Sequence, residues 1–295
     1  MNKKALRSSL LLFLAAFIWG VAFVAQSVGM NYMGPFSFNG ARFLMGSLVL
    51  VPLVLYRRRF LKGEERHFGS RKITLAGGIC CGLALCSAAL FQQFGILYTT
   101  VGKAGFITTL YIIIVPIMGI FLKKKIPGKV WLAAVIAMAG MYLLCMSEGL
   151  KLSKGDRFVF ICAILFSIHI LVIDYFSPKA DGVELSCLQF FTAGVICSIL
   201  ALVFEKPVLS NFVDGIIPLL YAGIMSSGVA YTLQIVGQKD LDPTVASLIL
   251  SMESVISMLA GWVILGQAMS GRELFGCALV FGAVILVQLP ERKEL

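Results

Sequence analysis

The sequence predicts an all-α integral membrane protein: ten transmembrane helices arranged as two inverted five-helix repeats. Three observations lead there. Hydrophobic residues make up 59% of the 295 positions, charged residues only 14%, and mean hydropathy is +0.93, where a soluble chain is about half apolar and a quarter charged. The charges gather in short clusters such as Arg57-Arg58-Arg59 and Lys123-Lys124-Lys125. The apolar runs between them are roughly 18 to 22 residues long, enough to cross a hydrocarbon core of about 30 Å at 1.5 Å per residue. Finally, the two halves of the chain match weakly in the same order of features.

Reading apolar runs against punctuation places the spans near Ser9–Val28, Phe36–Tyr56, Ile73–Leu97, Ala104–Leu122, Val130–Ser147, Arg157–Tyr175, Leu185–Phe204, Val213–Ile235, Thr244–Leu265 and Leu274–Leu289. The sixth and tenth are the weakest, being short or interrupted by polar residues. The first run follows Lys3, Lys4 and Arg7 as a signal peptide would. Its length and the spans that follow identify it as a retained helix. Pro116 lacks an amide donor and predicts a bend in the fourth helix, and Pro52 offers the same in the second. Small residues at Gly77, Gly78 and Gly82, and at Ala133, Ala137 and Gly140, permit close helix approach. Connections of mostly four to ten residues leave no room for a separate catalytic domain.

The net charge of +10 does not indicate nucleic acid, because the Lys and Arg flank apolar helices instead of forming a face on a soluble fold. If the N-terminus is cytoplasmic, 18 Lys and Arg fall on the cytoplasmic side and six on the other, with Arg42 inside a span. That bias predicts a multi-pass protein of the cell membrane with both termini cytoplasmic. The eight cysteines all lie in apolar segments without ligand spacing, so they read as small buried hydrophobes and no metal or cofactor is expected.

The repeat emerges when the halves are slid past one another. A shift of 147 sets Trp19-Gly20 on Phe166-Ser167 and Arg42-Phe43 on Gln189-Phe190, and a shift of 141 sets Gln93 on Gln234. A shift of 143 sets Pro127-Gly128-Lys129 on Ser270-Gly271-Arg272. The first repeat covers 1–150 and the second 151–295. An odd number of spans per half forces the second to enter the membrane from the opposite side, and such inverted halves suit a carrier that opens a central cavity to each face in turn.

Several short motifs then carry a resemblance. They are Phe17-Ile18-Trp19-Gly20, Pro35-Phe36 through Arg42-Phe43, Ala104-Gly105-Phe106 through Pro116, Pro243, Ser251-Met252-Glu253-Ser254-Val255, and Leu265-Gly266-Gln267. In this order, over residues 9 to 289, the chain resembles the EamA-like ten-helix carriers of the drug/metabolite transporter superfamily. The resemblance implies helices of both repeats around a central cavity, a peripheral fifth and tenth helix, and transport of amino acids, other small metabolites or drugs. Two departures stand out: Lys123-Lys124-Lys125 and Gly266-Gln267 occupy places where the family commonly has Gly-Glu, so that acidic feature does not carry over.

Charged and polar residues within spans are the candidate substrate or coupling site. Glu253 falls roughly 14 to 18 Å from either end of the ninth helix, on one face with Ser257 and Gly261. It is a candidate for substrate contact or proton-coupled switching, or else a glutamate that fixes packing. Arg42 lies about 9 Å below the end of the second helix, where it snorkels, pairs with an acid or takes an anionic substrate group. His169 reads as a packing histidine or a proton contact. Gln93 and Gln234 are placed to line opposite vestibules, and Trp19 to stack on a ring or pack an interface. No nucleotide-binding loop, zincin or serine-elbow motif is present, so no enzyme activity is expected. The expected partners are a small-molecule substrate, membrane lipids, and protons as coupling ion. A homodimer has no sequence feature behind it. A secondary carrier of a small polar metabolite, with amino acids among the candidates, leads over a non-transporting membrane receptor or assembly factor.

Overall fold

The computed structural model describes residues 3–60, 70–123, 126–145, 153–266 and 270–289, and every regular element among them is helical. Among the described residues, eight helical spans are long and apolar enough to cross a membrane by length and composition. Two shorter apolar helices, Gly128–Gly140 and Leu274–Leu286, accompany them. Large apolar side chains such as Phe121 and Leu202 remain outward-facing, as expected where lipid and not water covers the outside.

The first three helices are long and unbroken: α1 (Lys3–Gly29), α2 (Pro35–Phe60) and α3 (Arg71–Ile96). Pro52, expected as a bending point, lies within continuous α2. The fourth span is in two pieces, α4 (Val101–Thr108) and α5 (Tyr111–Phe121). The bend expected at Pro116 gives way to a break about two turns earlier. There the amides of Leu110, Ile112 and Ile113 bond three residues back, at 3.2, 3.0 and 3.0 Å, the tighter pattern of a 3₁₀ turn.

The fifth predicted span corresponds to α6 (Gly128–Cys145). α7 (Lys154–Phe176) begins earlier than hydropathy suggests because Ser153 and Asp156 close a capping box, satisfying two amides that the helix start leaves open. α8 (Gly182–Phe204) is capped by Asp181, which accepts from the amides of Val183 and Glu184 at 3.0 and 3.1 Å.

The eighth span departs most from expectation. Its single predicted helix is α9 (Leu209–Asp214), α10 (Ile216–Leu220), a π-helix (Tyr221–Tyr231) and α11 (Thr232–Gln238). In the π-helix the Ser227 hydroxyl donates to the Ala222 carbonyl at 2.9 Å, five residues back. The ninth span breaks at Ser251 into α12 (Pro243–Leu250) and α13 (Met252–Leu265). The hydroxyls of Ser247, Ser251, Ser254 and Ser257 each donate to a carbonyl three residues back, at 2.7 to 2.8 Å. Such side-chain bonds compete with the regular ladder and bend membrane helices. The chain closes with α14 (Gly271–Gln288).

Packing pairs elements from the two halves. α2 lies on α8, α3 on α7 and α8, α1 on α13 and the π-helix, and α6 on α14. Small residues make these crossings close. A Cβ on Gly82 would stand 2.6 Å from Thr192 Cβ, one on Gly223 2.6 Å from Met45 Sδ, and one on Gly140 2.6 Å from the Gly276 carbonyl oxygen. Gly95 meets Val159, and Gly237 meets Leu12 in the same manner. Without a hydrophobic drive between helices in lipid, such contact by van der Waals packing holds a bundle together.

The α2–α8 pair is tied at both ends. Glu205, just past α8, accepts from the amides of Phe36 and Ser37 at 2.8 and 2.7 Å and from the Ser37 hydroxyl at 2.6 Å, capping the start of α2. At the other end Arg58 grips Glu184 through two nitrogens at 2.7 and 3.0 Å, and Arg57 reaches Asp181 at 2.8 Å.

Candidate functional site

Where the helices converge they enclose a cavity of about 440 Å³ of empty space, counting its open side. Its polar lining comes from Gln26 of α1, Arg42 of α2, Gln92 of α3, Thr108 of α4, Gln234 of α11 and Glu253 of α13. Its aromatic lining comes from Trp19, Phe23, Tyr111, Phe166 and Tyr231. Both halves of the chain therefore contribute both kinds of surface.

Glu253 is 5% exposed and accepts a hydrogen bond from the Tyr111 hydroxyl at 2.9 Å. Both residues lie within the first two positions after a break in their spans. α1 approaches closely here, since a Cβ on Gly20 would stand 2.9 Å from the Glu253 carbonyl oxygen.

Arg42 does not snorkel, being 1% exposed. Its Nε donates to Asn39 Oδ1 at 2.8 Å, and Asn39 in turn donates to the Ala89 carbonyl at 3.3 Å. The guanidinium lies over the Phe43 ring, 4.5 Å from the centroid, a cation–π contact worth about 2 kcal/mol when desolvated. No carboxylate comes within 4.0 Å of Arg42 among the described residues, and its Nη2 is buried without a hydrogen-bond partner there.

Trp19 lies on the cavity wall, its Nε1 donating to the Ser226 carbonyl at 3.2 Å and its ring 4.5 Å from that of Tyr231. Gln234 also lines the cavity, and its Oε1 is buried without a partner among the described residues. Gln93, expected to line the opposite vestibule, does not line this cavity: it is fully buried, donating to the Gln26 carbonyl at 3.2 Å, while its neighbour Gln92 takes the lining position. His169 lies behind the wall, its Nε2 3.1 Å from Gln189 Oε1 and its ring between Phe166 and Tyr231.

Tyr111, Tyr231, Gln26, Gln92 and Phe23 escaped the sequence reading. Aromatic and amide residues in an apolar helix are too common to single out by type. One signal was present for Tyr111: it precedes Glu253 by 142 positions, close to the shift that aligns Gln93 with Gln234.

Chemically, the residues that line the cavity include Arg42, Gln26 and Gln234, each with a buried polar atom that has no partner among the described residues, together with the Glu253 carboxyl and flat aromatic walls. These match a small molecule bearing both an acceptor and donors. Among the described residues no cluster of three His, Cys, Asp or Glu could hold a metal ion.

Comparison with known proteins agrees with this architecture. The profile of the EamA-like transporter family matches the chain twice, over residues 6–146 and 153–289. A protein of Archaeoglobus fulgidus named an uncharacterized transporter is 30% identical over 287 residues, covering 97% of this chain and 87% of its own length. A WAT1-related chloroplast protein of Arabidopsis thaliana is 24% identical, covering 94% of this chain and 68% of its own. A solved crystal structure superposes with a TM-score of 0.75 at 20% identity, covering 95% of this chain and 96% of that one, a likeness of fold. With its many apolar helices and a family match over both halves, the chain belongs to the EamA-like transporter family of the drug/metabolite transporter superfamily and is a multi-pass membrane transport protein.

Proposed function

We propose that this protein is a secondary transporter that moves a small polar metabolite, best matched by an amino acid, across the cytoplasmic membrane by alternating access. The observation that carries the reading is a cavity lined by both Arg42, whose Nη2 has no hydrogen-bond partner among the described residues, and Glu253, with no ion pair between them. A zwitterion supplies what each lacks: a carboxylate for Arg42, and an ammonium for Glu253 and the amide oxygens of Gln26 and Gln234. A buried unpaired charge is costly, so an occupant of opposite charge is favoured.

The reading includes ten spans, with α6 and α14 as the fifth and tenth, in repeats over 1–150 and 151–295. Support for inversion comes from contacts that recur in pairs. Gly95 meets Val159 and Gly237 meets Leu12, and the counterparts are offset by 142 and 147 positions. Gly82 meets Thr192 and Gly223 meets Met45, with offsets of 141 and 147. A two-fold relation between the halves gives this pattern, and broken helices in both halves beside a central site are what such carriers use. Both termini are cytoplasmic, and protons serve as the coupling ion through Glu253.

The test is binding of a metabolite library to the purified protein, then flux of each binder into liposomes with and without a pH gradient. Gradient-driven accumulation of an amino acid is expected. Binding without flux would favour a receptor, and no binding of any zwitterion would overturn the substrate class.

A further inference from the structure

The inference rests on the inverted-repeat, alternating-access reading above. If the two halves exchange conformations, a contact between one residue and another in the opposite half becomes a contact between their counterparts. Where the touching residues are themselves counterparts, the contact maps onto itself and need not break. Tyr111 and Glu253 are such a pair, touching at 2.9 Å with a separation of 142 positions. The same offset relates Gly95 to Gly237 and the break at Thr109 to the break at Ser251.

The α2–α8 pair behaves differently. Arg58 with Glu184, and Glu205 with Ser37, are counterpart contacts at opposite ends, each related by 147 positions. Both are made at once, so this pair is a clamp and not a gate. Motion that opens the cavity is left to the elements facing the clamp, which include the broken spans that carry Tyr111 and Glu253.

We propose that Tyr111 is the positioning residue of Glu253: its hydroxyl holds the carboxyl on the pseudo-two-fold axis, where it exchanges protons with whichever face the cavity opens to. In one state a proton from water forms an O–H bond with the carboxylate. In the other that bond breaks and the proton returns to water on the far side, with no bond to the phenol oxygen made or broken covalently. The titratable or charged groups around Glu253 are Tyr111 from α5, Tyr231 from the π-helix, Cys162 from α7 and Arg42 from α2. α1 brings Gly20 against its backbone. Of the other elements packed on α13, α4 carries Lys103 in its first turn and α14 carries buried Cys277.

The experiment is difference infrared spectroscopy of the full-length protein in lipid, titrated with buffer from about pH 4 to 10, which needs no substrate. A carboxyl stretch present in the wild type and absent in E253Q identifies Glu253. In Y111F that band should move to higher wavenumber, because a donor to it is gone. Its titration midpoint should also move to alkaline pH by about half a unit or more, since that donor favours the ionised form. E253D, which withdraws the carboxyl from the hydroxyl, should likewise move the band to higher wavenumber and serves if Y111F does not fold; its midpoint is not compared, because aspartate is intrinsically more acidic than glutamate by about 0.4 unit. A Y111F band at the wild-type position and midpoint, or an E253D band at the wild-type position, overturns the role of Tyr111 while leaving Glu253 as the proton site. The lack of any band sensitive to E253Q overturns this inference and the proton-coupling reading together.

Discussion

The rings of Phe43 and Phe190 stack in parallel across α2 and α8, with centroids 6.1 Å apart and planes 7° from parallel. The two residues are counterparts at the 147-residue shift, a second contact between equivalent positions besides that of Tyr111 with Glu253. Two cavity-lining residues pack on this stack: Arg42, which lies over Phe43, and Tyr231, whose ring is 5.7 Å from Phe190. Arg42 is thereby held by an aromatic face and by Asn39, while its Nη2 has no hydrogen-bond partner among the described residues.

Substitution of Arg42 by Gln is expected to weaken binding of an anionic or zwitterionic substrate by about 10- to 150-fold, the value of a charge-assisted hydrogen bond of about 1.5 to 3 kcal/mol. A neutral analogue should lose much less. Calorimetric titration of both compounds against R42Q measures the difference, and equal losses for the two would remove Arg42 from charge recognition.

E253Q keeps the approximate shape of the side chain and removes proton exchange. The expected result is normal membrane insertion, retained substrate exchange, and accumulation driven by a pH gradient reduced by at least about tenfold, as for loss of an acid–base group. Liposome flux at matched protein density reads it. Wild-type accumulation with an unchanged pH profile would leave Glu253 a packing residue.

Removing the carboxylate that caps α2 should cost more than removing the exposed partner of the ion pair at its other end. E205A frees the amides of Phe36 and Ser37, a loss of about 1 kcal/mol on the scale of helix N-caps. R58A removes a residue whose side chain is 52% exposed, so solvent screening leaves about 0.5 kcal/mol or less. Thermal unfolding in detergent should rank E205A below R58A, and the reverse order would show that the Glu205 cap is not a principal tie.

At Gly155 a Cβ would stand 2.6 Å from the Gly95 carbonyl oxygen and 2.7 Å from the Tyr98 carbonyl carbon. Backbone cannot move aside as a flexible side chain can, so G155L should lower the unfolding midpoint through overpacking of about 1 to 3 kcal/mol. At Gly128 a Cβ meets nothing within 4 Å, so G128L serves as the control and should be nearly neutral.

Cysteines introduced at Asn2 and Glu294 should both react with an impermeant thiol reagent only from the cytoplasmic side. Labelling of either from outside would reject the arrangement that the 18-to-six distribution of Lys and Arg favours.

The sequence by itself determined that this is an all-helical multi-span membrane protein of the transporter class, because hydropathy over a bilayer length and the order of short motifs depend only on local composition. It also singled out Glu253, Arg42, Trp19 and Gln234, since polar groups in a hydrocarbon span are conspicuous by cost alone. Only the tertiary structure decided which of them share a space. Depth along a helix follows from counting residues, but the direction a side chain faces depends on helix rotation, which packing sets. That is why Gln92 and not Gln93 lines the cavity, why His169 sits behind Tyr231, and why Tyr111 meets Glu253. The breaks at Thr109–Leu110 and Ser251 and the π-helix from Tyr221 to Tyr231 were equally beyond reach of composition. Proline position suggested a bend at Pro116, yet the backbone turned where side-chain hydroxyls and close neighbours from the other half could satisfy or crowd it.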